Sequence, residues 1–349
     1  MAFELKNQKI IWPLLFGLLI SNMGFAGNNP QLDNSGIRVM FYNVENLFHP
    51  TDDPDKSDEE FTKEGTRYWT FNRYKQKLAN IGKTVIAVGE WEPPAIIGLC
   101  EVENIQCLED LVYTSPLKKW NYKIVHEESR DNRGIDVALI YRADLITEIS
   151  HEAIQLNFPN STRPSRDILY FKGSTAKDTV HFFVNHWPSR YGGQLETEGK
   201  RNYAAEVLKS KFDSLRSDNA NAKVLAMGDF NDHPDDDSME EILMAKKAAK
   251  GLGKSDLINM IWQYEDDGLG THKYQHEWGV LDQIVITPAF LNDTNRIHTN
   301  MKAAKIFMGD FLLEAEKDGV GKTPNRTYIG FQFHGGYSDH LPIFVDLYF

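Results

Sequence analysis

The chain has 349 residues, 41% of them hydrophobic, and a formal net charge of −12. This is enough to bury a large core, in one big domain or two small ones. The acidic balance disfavours tight non-specific binding to nucleic acid or anionic lipid, but not phosphate substrates, because local arginines and a bound cation can reverse the sign inside a cleft.

The first 26 residues read as an export leader. Lys6 and Lys9 give a positive start, and Ile10 to Ile20 form an apolar run short for a membrane span. Gly24 and Ala26 then stand at the −3 and −1 positions of a cleavage site. No Cys follows that site, so a lipid anchor is not indicated, and Pro13 with the short run disfavours an uncleaved anchor helix. Residues 27–35 are an Asn- and Gly-rich lead, expected to be disordered. Export to the periplasm or medium, with no stable membrane anchor, is the expectation.

One domain is expected over 36–349, since nothing resembling a linker interrupts it. Ile37–Tyr42 alternates as a strand and 50–66 is a polar loop. Apolar residues at helical spacing (Tyr74, Leu78, Ile81, Val85, Ile86) predict an amphipathic helix over 72–89. Ala95–Cys100 is continuously apolar, as in a strand buried on both faces. Further strands are predicted at 137–141, 168–171, 180–184, 224–227, 281–286 and 343–347, with a long helix near 195–216. Ser238-Met239-Glu240-Glu241 matches a capping box opening another helix. Irregularly interspersed helices point to an α+β arrangement of the broad α/β class, layered around a pair of sheets. Of the two cysteines, Cys100 reads as a core residue, and a bridge to Cys107 would close only a small loop.

Polar clusters stand at the strand ends, where a side chain is held rigidly at the rim of the core. They are Asn43-Val44-Glu45-Asn46, Glu101-Val102-Glu103-Asn104, Gly228-Asp229-Phe230-Asn231 and Ser338-Asp339-His340-Leu341-Pro342, with Asn185-His186-Trp187 and Leu281-Asp282-Gln283 between. Singly, each has an ordinary structural explanation: Asn43 as a turn cap, Glu101 as a first-turn carboxylate, Asp229 and Asn231 as a turn. Together and in this order they resemble the endonuclease/exonuclease/phosphatase superfamily, which includes deoxyribonuclease I-like nucleases, abasic-site endonucleases, secreted sphingomyelinases and inositol-polyphosphate phosphatases. The resemblance covers about 36–349 and implies a four-layered α/β sandwich, two mixed sheets face to face with helices outside.

The chemistry agrees. Phosphodiester hydrolysis needs an in-line water, charge neutralisation on the non-bridging oxygens and help for the leaving alkoxide. Asn43 and Glu101 offer hard oxygens suited to Mg²⁺ or Mn²⁺; by resemblance Glu101 is the principal ligand, with Asp339 nearby. No Cys/His zinc spacing is seen. The resemblance implies that Asp229 orients or deprotonates the water, Asn231 donates to a phosphate oxygen, Asp282 holds His340, and His186 binds phosphate or protonates the leaving group. Asp136 is the expected carboxylate partner of His186. Arg166 and Arg190, with Arg133 and Arg163, are expected as a phosphate-facing rim. Trp187 or Tyr191 is placed to stack a base, or to pack under the loop.

His272 and His276 read as a loop or hairpin, and Asp235–Asp237 as a solvated helix start. The sequence lacks the motifs expected of the inositol-phosphatase branch around Asn231 and Asp282, so a nuclease-like phosphodiesterase acting on DNA or RNA is the leading expectation. A lipid-headgroup phosphodiesterase and a catalytically silent binding module are the alternatives. The leader predicts that the exported protein begins at Gly27. Intact-mass measurement of exported material checks this; a mass that retains residues 1–26 refutes it.

Overall fold

A computed structural model of the protein describes residues 36–159, 163–176, 178–247, 251–253, 255–292, 296–316 and 321–349. The expected leader (1–26) and lead (27–35) lie outside the described residues.

Strands β1 (Gly36–Leu47), β2 (Ile96–Val102), β3 (Tyr122–His126), β4 (Asp136–Arg142), β14 (Ala304–Ile306) and β19 (Ile343–Tyr348) form one sheet in the order β14-β19-β1-β2-β4-β3. The second sheet, ordered β5-β6-β7-β8-β13-β10-β9, contains β5 (Thr147–Ile154), β6 (Ile168–Ser174), β7 (Thr179–His186), β8 (Lys223–Asp229), β9 (Ala245–Lys247), β10 (Leu257–Asn259) and β13 (Asp282–Ile286). Both are mixed, with β1–β2 and β7–β8 parallel and β1–β19 and β8–β13 antiparallel. Among the described residues there are also three two-stranded sheets: β11 (His272–Tyr274) with β12 (Glu277–Gly279), β15 (Leu313–Ala315) with β16 (Lys322–Pro324), and β17 (Tyr328–Ile329) with β18 (Gln332–Phe333).

The alternation along β1 decides the layering. Val39 and Phe41 face a core shared with Leu169, Phe171, Val184, Leu225 and Met227 of the second sheet, so the two sheets pack face to face. Met40 and Tyr42 point the other way, against Leu78, Ile81 and Val85 of α1 (Phe71–Gly89) and Leu108 and Leu111 of α2 (Ile105–Thr114). On the far side, Ala204, Ala205, Leu208 and Phe212 of α3 (Gln194–Asp218) cover Phe183, Val224 and Ala226. The four-layered sandwich is therefore present. Cys100 and Cys107 are both free, and they lie in cores on opposite faces of the first sheet.

Several local expectations are corrected. The apolar stripe of α1 is completed by buried Lys77, while Ile86 is 37% exposed. Helix α2 and strands β3 and β5 are additional to the predicted elements. The capping box at Ser238 does not form: the Ser238 hydroxyl donates to Asp232 at 2.6 Å, and the segment makes only one wide turn, Ser238–Ile242. Glu103-Asn104 has a structural use. Asn104 accepts the Cys107 amide at 3.0 Å and caps α2, while Glu103 accepts the His49 amide. Replacing Asn104 by Ala should therefore cost about 1 kcal/mol of stability without altering catalysis, as read by urea denaturation beside an activity assay.

Candidate active site

Register brings the polar strand ends together. His186, Asp229 and Asp282 are lateral neighbours on β7, β8 and β13, because His186 pairs with Asp229 and Asp229 with Asp282. Asn43 stands beside Cys100 in the first sheet, one residue before Glu101. The mouth between the two sheets thus collects side chains from both. Gly228 is needed for this closeness: a Cβ there would stand 2.5 Å from the Asn185 carbonyl oxygen. Glu45, Asn46, Glu101 and Asn231 all adopt positive φ (52°, 55°, 62° and 52°), a conformation that costs energy in non-glycine residues and turns each chain sharply at its strand end.

Asn43 is buried and its amide bridges the sheets, donating to Asp229 Oδ2 at 3.1 Å and to Glu101 Oε1 at 3.4 Å. Glu101 also accepts the Asn46 amide at 2.9 Å. His186 Nε2 lies 3.7 Å from Asp229 and 3.9 Å from Glu101, and its buried Nδ1 has no partner. Burial, with Arg166, Arg133 and His340 nearby, lowers its pKa well below the ordinary histidine value, so it is neutral at pH 7. His340 behaves oppositely. Burial alone would lower its pKa, but Asp282, whose Oδ2 is 2.7 Å from Nδ1, and Asp229 outweigh it and hold the imidazole charged. Asp229 itself is raised, chiefly by burial.

Asp339 is gripped by Arg326 at 2.6 Å. Burial would raise its carboxyl, but His340 and Arg326 hold it below the ordinary range. Donor atoms of His272, Asp339 and His340 lie within 4.8 Å of one another, as do those of Asp229, Asp282 and His340. Asp282 Oδ1 is buried without a partner. So many hard oxygens, with one left unsatisfied, fit a small divalent cation.

Other expectations change. Asp136 does not meet His186; it contacts His126 Nε2 at 3.2 Å and accepts the Ser129 amide at 2.9 Å, because β4 starts opposite Val102 and turns the carboxylate toward β3. Arg166 is buried instead of rimming the mouth, donating to the Trp187 carbonyl at 2.6 Å and to Asp131 at 3.5 Å. The Arg190 guanidinium is committed to the Asn231 carbonyl at 2.7 Å and to Asp232 and Asp236. Asn231 donates to the Trp187 carbonyl at 3.0 Å. Trp187 is fully buried edge-on to Phe230, so it is no stacking platform, whereas Tyr191 is 93% exposed.

Four residues join the site that sequence reading missed: Glu45, Lys77, His272 and Arg326. Lys77 is buried, donates to Thr327 and the Tyr337 carbonyl, and lies 4.0 Å from Glu45. Glu45 accepts the Thr327 amide at 2.6 Å. The one available signal was a lysine on an apolar stripe, three after Tyr74 and four before Ile81. The His272 hairpin does form, and its ring lies 4.7 Å from that of His340. A cleft of about 700 Å³ opens beside Asn231 and His272, lined also by Arg190, Tyr191, Tyr274 and Trp278.

The model of the endonuclease/exonuclease/phosphatase family matches residues 38–348, and the chain belongs to that family. Its members are hydrolases of phosphoesters and are generally dependent on a divalent metal. No curated protein sequence matches the chain. The human Nocturnin catalytic domain with bound sulfate superposes with a TM-score of 0.54 at 15% identity, covering 90% of this chain and 95% of that one. TDP2 from C. elegans gives 0.53 at 14% identity, covering 90% and 75%. An endonuclease/exonuclease/phosphatase family protein from Bacteroides thetaiotaomicron gives 0.52 at 17% identity, covering 90% and 95%. At these identities the likeness establishes the fold. No described helix is long and apolar enough to cross a membrane.

The Asp282–His340 contact makes a direct prediction. Asp282→Asn removes the anion that favours the imidazolium, so the His340 titration should move to lower pH. Histidine NMR on EDTA-treated protein checks this; an unmoved midpoint refutes the pairing.

Proposed function

We propose that the protein is a divalent-metal-dependent phosphodiesterase of nuclease-like type, acting after export. The observation that carries this reading is the convergence of Asn43, Glu101, His186, Asp229, Asn231, Asp282 and His340 at one mouth between the sheets. In this reading Asn43, Glu101 and Asp339 hold Mg²⁺ or Mn²⁺. The bound cation supplies charge neutralisation on the non-bridging phosphate oxygens.

The remaining work falls to the chain. Asp229, raised by burial, is suited to accept a proton from the attacking water near neutral pH. His340, held charged by Asp282, faces the phosphate as a cationic donor, and neutral His186 donates a hydrogen bond through Nε2. Asn231 turns its amide from the Trp187 carbonyl to a phosphate oxygen. Arg166 and Arg190 act as positioning residues, bracing Trp187 and the Asn231 turn. Tyr191, Tyr274 and Trp278 offer aromatic faces to a base or sugar of the substrate. With a chain at −12 and Glu277 in the cleft, this lining supports a nucleotide-bearing or single-stranded diester over long duplex DNA.

The test uses the EDTA-stripped protein resupplied with Mg²⁺ or Mn²⁺. Bis-p-nitrophenyl phosphate should be hydrolysed, and a panel of DNA, RNA, sphingomyelin, phosphoinositides and phosphomonoesters should rank single-stranded nucleic acid or nucleotides first. Glu101→Ala and His340→Ala should each lose on the order of 10²–10⁴-fold in kcat with the fold retained by circular dichroism. Activity that survives both changes rules out the assignment.

A further inference from the structure

A second group of ligand-type side chains lies outside the mouth, where β3 ends and β4 begins. His126 is the last residue of β3 and Asp136 the first of β4, so their backbones are fixed by the sheet. Their side chains are almost fully buried, at 3% and 1% exposure, while that of Glu128 is 53% exposed. One donor atom from each of these three lies within 4.8 Å of the other two. None of the three belongs to the groups at the catalytic mouth.

A buried His–Asp pair is often only a clamp on a loop. Here a further observation argues for a ligand. Asp167, at 5% exposure, lines the same small hollow as Ser129 and Asp136, and its Oδ1 has no hydrogen-bond partner. Two buried carboxylates therefore share one hollow, and one retains an unsatisfied oxygen. Lys56, 3.7 Å from Glu128, is the positive group paired with the outer carboxylate. Glu127 completes the polar lining of the hollow, which meets the His126 and Glu128 group at Asp136.

We propose that His126, Glu128 and Asp136, with Asp167 closing the inner side, form a second divalent-cation site. One imidazole among carboxylates suits Mn²⁺ or Zn²⁺ better than Mg²⁺ or Ca²⁺. The site joins β3 and β4 of the first sheet to the residue just before β6 of the second. It also pins the 127–135 connection, which carries Asp131, the partner of Arg166. Its role is structural, holding the seat of Arg166 behind the catalytic mouth.

Elemental analysis after equilibrium dialysis of the whole protein against Mn²⁺, and separately Zn²⁺, tests this. Glu128→Gln, an exposed change that leaves the fold intact by circular dichroism, should remove one equivalent of metal or weaken it at least about tenfold. Asp167→Asn should act in the same direction. Glu101→Gln should remove a different equivalent, with the two losses adding in the double variant. Metal content and affinity unchanged by both Glu128→Gln and Asp167→Asn for both ions would overturn the second site. Loss of the Glu101→Gln effect alone would instead count against the catalytic-site assignment.

Discussion

Like charges held close together are the constraint around which this molecule is built. Glu101, Asp229, Asp282 and Asp339 converge at one end of two packed sheets, and Asp229 and Asp282 are withdrawn almost completely from water. Burying such groups costs several kcal/mol each unless counter-charge and hydrogen bonds are supplied. The supply is specific. Asp282 is answered by the His340 imidazolium, Asp339 by Arg326, and Asp229 by the Asn43 and Asn231 amides. Lys77, buried among apolar side chains, answers Glu45 one layer behind. What remains unbalanced, including the unpaired oxygen of Asp282, is what a small cation would complete.

This arrangement also explains why two histidines in one mouth differ. His186 sees two arginines and a charged histidine as well as burial, so it stays neutral. His340 sees three aspartates, Asp282, Asp229 and Asp339, so it stays charged. The pair presents one neutral and one cationic imidazole at the same mouth. Sheet register makes the difference: β13 lies next to β8, and this puts Asp282 beside the last histidine and Asp229 between the two.

The arginines illustrate a different point. Arg166 and Arg190 are enriched around the middle motifs, but their guanidinium groups are spent on carbonyls and carboxylates of the surrounding loops. Arg326, a further exposed arginine beside the site, lies far along the chain within Asn325-Arg326-Thr327. Local density of basic residues picked out Arg133, which lies near His186, but not Arg326.

The positions of β1, β2, β4, β6, β7, β8, β13 and β19, the two-faced alternation of β1, the long α3 helix and the motif residues at strand ends were legible in the sequence, because each depends on side-chain periodicity over a few neighbours. The partnership of Asp282 with His340 was legible too, through the resemblance of the whole motif set. Tertiary structure alone decided the pairings across long separations: Asp136 with His126 and not His186, Lys77 with Thr327, Arg326 with Asp339 and Glu45. An ion pair or hydrogen bond depends on where two side chains end in space, to within a fraction of an ångström. Position in the chain carries no such information until both sheets have packed.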